Sequence, residues 1–169
     1  MTIRLSQLTM EKVGLTITTT ADPDANPLCD WAVHLFRSQR LQYLLAVNTT
    51  SLFPVVLAGR GITSEKTFLE AFIPAVQGQH RAVGLAEGFE RFIAPSAHDI
   101  TWPKVGNRRV TGSMNEIILF AKAMLEDAAW NQQTLTLEEL AVELSGTILT
   151  FTSYLKLREA HRNLIESLH

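Results

Sequence analysis

The spacing of apolar and polar residues changes along the chain, from runs typical of strands to a repeat typical of helices. Three apolar runs, at residues 31–37, 41–47 and 52–58, are separated by short polar segments. They predict an antiparallel meander joined by hairpin loops. Because residues 43–47 are apolar at odd and even positions alike, we expect part of the sheet to be covered on both faces. Pro54 lacks an N–H to donate, which predicts that the third strand is an edge or carries a bulge.

Shorter elements are predicted on the N-terminal side of the meander. Residues 2–5 predict a strand, and Ser6 is placed to cap a helix that Gly14 would end. In residues 15–19 apolar side chains alternate with threonines, which predicts a further strand. Segment 21–27 contains two Pro and three Asx residues and predicts a loop.

After the meander the apolar residues repeat with the period of a helix. We predict a helix that is capped by Thr63 or Ser64 and that Pro74 kinks or ends. A helix in residues 83–93 and a strand at residues 99–105 would follow it.

The strongest helical pattern begins at Ser113. Ser113 and Glu116 match a capping box, and apolar residues at spacings of three and four continue to Ala128. Thr136 and Glu139 match a second capping box, which predicts another helix.

Strands that precede segregated helices predict an α+β fold, with a mostly antiparallel sheet and helices packed on it. A last helix is predicted in residues 153–168. We divide the chain into an α+β body, residues 1–130, and a helical C-terminal extension, residues 131–169, packed on the body. A length of 169 residues suits one domain with such an appendage.

The composition indicates in which cellular compartment the protein is expected. The chain is 46% apolar, as folded proteins are, and its single cysteine, Cys29, excludes an internal disulfide and a cysteine zinc cluster. No apolar run approaches the ~20 residues that span a bilayer, and the N-terminus lacks the apolar region of a signal peptide. We expect a cytosolic protein with no membrane association.

No familiar catalytic, phosphate-loop or dinucleotide motif is present, so we predict no cofactor and assign no catalytic residues. The five histidines are scattered, and none has a second His or Cys two to four residues further on. We therefore predict no metal site and expect each histidine to be half-exposed or at the edge of the core.

Charge is distributed unevenly. The chain holds 15 Lys and Arg against 17 Asp and Glu. Segment 31–64 has three arginines and no acid, and segment 100–115 has Lys104, Arg108 and Arg109 and no acid. If the two segments meet, they would form an anion-binding surface beside a helix start. Alternatively, these arginines are solvated turn residues, or pair with the acidic helices to hold the body to its extension.

The chain resembles a bacterial family known only as domain of unknown function number 6933. The resemblance covers about residues 1–128 and is carried by three parts: a short N-terminal strand and helix; Trp31, His34, Arg40, Asn48, Thr50 and the stretch from Phe53 to Gly59; and the stretch Asn-Arg-Arg-Val-Thr-Gly-Ser-Met-Asn at 107–115. Related sequences often have two successive basic residues where this chain has Arg40-Leu41. The family has no assigned activity, so the resemblance implies a fold and not a reaction.

Three functions remain open. The first is a non-enzymatic binding or regulatory protein whose basic surface binds a phosphate-bearing ligand or nucleic acid. Its candidate ligand-binding residues are Arg40, Asn48, Arg108, Arg109, Ser113 and Asn115, with His34 and Arg37 as additional members. The second is an enzyme with dispersed catalytic residues, and the third is a structural module that forms a homo-oligomer through its C-terminal helices. Convergence of the candidates in one pocket would favour an enzyme, and their spread over a surface would favour binding.

Overall fold

The computed structural model describes residues 1–168, and its centre is a four-stranded sheet in the order β1-β2-β3-β4. The strands are β1 (Thr2–Leu5), β2 (Asp30–Ser38), β3 (Leu41–Asn48) and β4 (Pro54–Ala58). Strand β1 is parallel to β2, and the other two pairs are antiparallel. The α+β class and the mostly antiparallel sheet are therefore confirmed. Pro54 begins β4, which is an edge strand as predicted.

The β2–β3 connection is a two-residue hairpin turn. Gln39 and Arg40 both have positive φ, at 50° and 66°, which matches the turns whose twist suits a tight hairpin. Ser38 pairs with Leu41 at the end of the ladder. Near the same end of β3, Gly59 lies so close to Gln42 that a Cβ would come within 2.8 Å of it.

Helices cover both faces of the sheet. They are α1 (Gln7–Val13), α2 (Glu65–Ala82), α3 (Ala86–Gly88), α4 (Arg108–Trp130), α5 (Leu137–Ser145) and α6 (Leu157–Glu166). A π-helical turn, Phe89–Ile93, follows α3. Because successive strand residues point to opposite faces, Trp31 and Val33 pack in one core with α2, while Ala32 and Phe36 pack in a second core with α4 and α5.

Helix α2 continues through Pro74 to Ala82. Ser64 caps it, as predicted, through reciprocal hydrogen bonds with Thr67. Proline does not end the helix here, because Phe68, Phe72 and the residues of the following turns are held in the core. Packing of the apolar face thus outweighs the lost hydrogen bond.

The capping box predicted at Ser113 is wrong. Helix α4 begins at Arg108, and Asn107 is its N-cap: the Asn107 Oδ1 accepts from the N–H groups of Arg109 and Val110 at 3.0 and 3.3 Å. The apolar repeat in fact reaches back to Val110, which is 1% exposed. Burial of that side chain extends the helix, and Ser113 lies inside it.

Three other elements differ from prediction. Residues 15–19 form no strand, and residues 99–105 make only isolated bridges, Thr2 with Thr101 and Leu5 with Lys104. The helix expected in residues 83–93 begins only at Ala86, since Gly84 has a φ of 75°, and it passes from α3 into the π-helical turn. The last helix begins at Leu157 and not at residue 153, because residues 153 and 154 have positive φ values that a helix does not accommodate.

The C-terminal helices take part in both cores. Leu140 and Leu144 of α5 and Leu157 of α6 pack in the core beneath α4, and Ile165 of α6 packs in the core beneath α2. The division of the chain at residue 130 stays a prediction.

Candidate functional site

A cleft of about 360 Å³ opens where the N-terminus of α4 meets β1 and the first residues of β2. Arg4 and Asp30 lie at its floor, and Lys104 and Asn107 lie along one side. A volume of this size lies within the range of small-molecule sites, about 300–1,000 Å³.

The floor of the cleft is a buried ion pair. The Nε and Nη2 atoms of Arg4 donate to the two carboxylate oxygens of Asp30 at 2.8 and 2.9 Å. The remaining guanidinium contacts go to the carbonyl oxygens of Ala21 and Asp22, at 2.9 and 2.7 Å. The hydrogen bond to Asp30 raises the pKa of Arg4. Two planar groups joined in this way form a rigid floor whose charges are mutually compensated.

Two cations lie between Asn107 and Val110, the two residues of the α4 start that line the cleft. Arg108 and Arg109 occupy the first turn of α4, which has no acidic residue. Cations at a helix N-terminus are unfavourable, because they lie at the positive end of the helix dipole. The Arg109 guanidinium lies 4.7 Å from the centre of the Phe151 ring, and this contact holds it beside the helix start.

Lys104 lines the cleft itself. Its backbone N–H donates to Thr19 at 3.0 Å, which fixes the segment that leads into α4. Within residues 1–168, no ion pair includes Lys104, Arg108 or Arg109. The alternative in which these cations pair with the acidic C-terminal helices is therefore not seen in the described part of the chain.

Other candidate residues surround a different, shallower groove. His34 and Arg37 of β2 lie there with Asn115 and Lys122 of α4. Burial lowers the pKa of His34, so its imidazole is neutral at pH 7. This groove lies further along α4 than the cleft.

Arg40 is remote from the start of α4. The neighbouring Gln39 Nε2 donates to the carbonyl oxygen of Leu125 at 3.0 Å, so the β2–β3 turn lies beside the C-terminal half of α4. Leu125 is 16 residues after Arg109, and a helix rises 1.5 Å per residue, which separates the two by ~24 Å. Arg40 and the two arginines of α4 thus do not form one patch.

The side chains of Asn48 and Ser113 are buried or half-buried and are not fully exposed to solvent. Asn48 is fully buried; its Nδ2 donates to the carbonyl oxygen of Pro27 at 2.7 Å, and its Oδ1 accepts from the N–H groups of Thr50 and Ser51. Ser113 is half-buried within α4.

A buried histidine pair was missed by the sequence reasoning. His80 of α2 and His161 of α6 are both 0% exposed, so the expectation of half-exposed or core-edge histidines is wrong for these two. The spacing of His161 from Leu157 and Ile165, four residues each way, places it on the apolar face of α6 and could have shown this. Their separation of 81 residues hid the pairing.

The pair belongs to a continuous hydrogen-bond chain. The His80 Nδ1 lies 2.7 Å from the Val76 carbonyl oxygen and must donate to it, so the neutral His80 accepts at Nε2 from the His161 Nε2–H, 2.9 Å away. The His161 Nδ1 then accepts from the Ser51 hydroxyl at 2.7 Å, so this one proton is donated to the ring and not to the Asn48 Oδ1, which lies 3.0 Å from the same oxygen. Burial lowers the pKa of His80 to about 4, and burial followed by the charge of His80 lowers that of His161 well below 6.5. Both rings are neutral at pH 7.

The hydrogen-bond chain of Ser51, His161 and His80 does not form a metal or catalytic centre by itself. Among residues 1–168 no group of three or more His, Cys, Asp or Glu side chains could hold a metal ion. Ser51 is 2% exposed, and Phe53 stacks on His161 with ring centres 4.3 Å apart, so a substrate has no access to the hydroxyl.

The fold and the cleft define a mixed α+β protein with a positively charged cleft at one helix start. The chain matches the model of the family described as "Domain of unknown function (DUF6933)" over residues 2–160, and it belongs to that family. The match continues beyond residue 128 and includes α5 and the start of α6. No significant match was found among curated proteins or among solved structures. In the part of the chain that the structure describes, no helix is long and apolar enough to cross a membrane.

Proposed function

We propose that this protein binds a small phosphate-bearing ligand in the cleft at the start of α4 and acts as a binding or regulatory protein. The observation that supports this most directly is that Lys104 lines a cleft at the start of α4 and that Arg108 directly follows Asn107, another lining residue. Neither cation has an ion pair in residues 1–168. The positive end of the helix dipole and the side-chain cations both favour an anion at the same place.

The energetics of α4 support a ligand role for these cations. Arginines in the first turn lower the stability of the helix by up to about 1 kcal/mol each at an exposed site. A bound phosphate reverses the sign of this effect, because the anion lies between the helix N-terminus and the cations. The Arg4–Asp30 pair at the floor is mutually compensated, so it adds no net charge to the cleft.

A compact ligand fits better than nucleic acid. The cleft is concave and its cations lie at one end of α4, while Arg40 is ~24 Å away along the helix. A nucleic-acid site needs a basic stripe that follows the phosphate backbone.

The separation of the other candidates supports binding over catalysis. His34 lies in the shallower groove, Asn48 is buried in hydrogen bonds to backbone groups, and Arg40 lies at the far end of the sheet. A set of catalytic residues must converge within a few ångströms of one reacting atom.

Isothermal titration with pyrophosphate tests the proposal. We expect binding that weakens between 25 and 200 mM NaCl, because the contacts are ionic. Lys104→Gln should weaken binding about tenfold, as loss of one charge-assisted hydrogen bond does. Arg40→Gln is the matched control, since it removes a cation remote from the cleft.

The outcomes separate the alternatives. Equal losses in the two variants would show that only net charge matters and would refute the cleft. Tighter binding of a single-stranded oligonucleotide than of pyrophosphate would refute the small-ligand proposal in favour of nucleic acid. Absence of binding to both probes would remove the anion-binding function.

A further inference from the structure

The outer edge of β2 is only partly covered. Strand β1 pairs with β2 from Asp30 to Val33, after which the chain turns into α1. Ser6 N–H then donates to the Val33 carbonyl oxygen at 3.0 Å, and the Thr9 hydroxyl accepts from the Leu35 N–H at 3.0 Å. Beyond Leu35 no element lies beside this edge in the β ladder.

The alternation of hydrogen bonds along β2 shows which of its backbone N–H and C=O groups have no partner at the outer edge. Ser38 and Leu41 are the last pair before a two-residue turn and exchange hydrogen bonds, so the even-numbered residues of β2 bond to β3. The odd-numbered residues point to the outer edge, as the bonds of Val33 and Leu35 show. The Leu35 carbonyl and the Arg37 N–H and carbonyl are therefore unpaired, and no turn, loop or side-chain bond to them occurs in residues 1–168.

The free edge lies in the floor of the shallower groove. This groove has a volume of about 380 Å³ and runs between Leu8 of α1 on one side and Ile118 and Lys122 of α4 on the other. Leu8 is 53% exposed although it is apolar. The charged residues that line the groove, Arg37 and Lys122, are both cations.

We infer that the Leu35–Arg37 edge is a docking site for an extended peptide of a partner protein, which adds a strand beside β2. Two or three main-chain hydrogen bonds would supply the register, as in other cases of strand addition. Alternate side chains of the peptide would face α1 and α4. Because apolar residues line both walls and the two cations Arg37 and Lys122 lie in the groove, the fitting peptide carries both apolar and acidic residues.

A second copy of this chain fits the edge less well. Pairing of two β2 edges about a two-fold axis would bring Arg37 and Lys122 close to the same cations of the other copy. Like charges in such an arrangement are destabilising. Edge cations of this kind prevent self-association and leave the edge open to an acidic strand.

Amide hydrogen exchange measured by NMR tests the site. Two acetylated and amidated peptides are used, one centred on Val-Val-Glu-Glu and one on Glu-Glu-Val-Val, so that both parallel and antiparallel pairing with β2 are covered. The Arg37 amide should exchange freely in the protein alone. With saturating peptide of the fitting order, its exchange should slow at least tenfold. The same peptide with both valine nitrogens methylated should give no protection, because the strand hydrogen bonds are lost.

Charge variants complete the test. Lys122→Glu should weaken peptide binding, and Lys66→Glu is the matched control, since Lys66 lies on α2 with its side chain 83% exposed. Full binding of the methylated peptide, or equal affinity for a Val-Val-Lys-Lys peptide, would overturn the inference. So would absence of binding at millimolar peptide, or Arg37 protection that rises with protein concentration alone, which would show that a second copy occupies the edge.

Discussion

The buried histidine pair predicts a steep loss of stability at mildly acidic pH. His80 has a pKa of about 4 in the folded protein and an ordinary value of 6.5. The unfolded chain therefore binds more protons than the folded chain below pH 6.5. The stability contributed by the neutral ring is fully present above pH 6.5 and is lost as the pH falls towards 4.

The magnitude follows from linkage. Each pH unit below the unfolded pKa lowers the free energy of unfolding by about 1.4 kcal/mol per histidine. Between pH 7.5 and pH 5.0 this gives about 2 kcal/mol for His80. Burial lowers the pKa of His161 as well, so this ring adds to the loss in the same direction. Protonation also reverses the hydrogen bond between His161 and Ser51, so that the His161 Nδ1–H donates to the Ser51 oxygen.

Urea unfolding at pH 7.5, 6.0 and 5.0 measures this loss. The His98→Gln variant, which removes an exposed histidine, should keep the full pH dependence. The His161→Gln variant should lose part of it, because one of the two rings no longer titrates. A free energy of unfolding that differs by less than about 1 kcal/mol between pH 7.5 and 5.0 would refute the buried neutral pair.

Further substitutions test local features by urea unfolding at pH 7.5. Asn107→Ala should lower the free energy of unfolding by about 1 kcal/mol because it removes the N-cap of α4, whereas Ser113→Ala should cost clearly less; the reverse order would support the capping box at Ser113. Asp30→Asn should cost about 3–5 kcal/mol, because it leaves a buried guanidinium without its counter-charge, and a loss below 1 kcal/mol would contradict burial of the pair. Gly88→Ala should be destabilising because its Cβ would lie 2.6 Å from Ile165, and unchanged stability would show that this contact relaxes freely.

The sheet could be predicted because its signals are local. Short apolar runs with polar turns define β2, β3 and β4, and the proline at the start of β4 identified an edge. The start of α4 was misplaced because two capping signals compete within seven residues, and burial of Val110 decides between them. That burial depends on the sheet beneath it, which the local sequence does not describe.

The candidate site could be predicted only in part. Lys104, Arg108 and the helix start are close in sequence, so their proximity was visible as an acid-free segment. Arg40 was grouped with them by charge, but the direction in which α4 crosses the sheet separates them. The histidine pair could not be found by spacing, because its members come from two helices that meet only in the folded core.

The parallel pairing of β1 has a consequence for the order of folding events. The three strands of the meander join through short turns, whereas β1 must close a loop of about 25 residues before it meets β2. Contacts between distant parts of a chain form at a higher entropic cost than hairpins. The meander should therefore be structured in the transition state, and β1 should dock late. A Leu5→Ala substitution would then mainly accelerate unfolding, while Leu45→Ala in β3 would mainly slow folding.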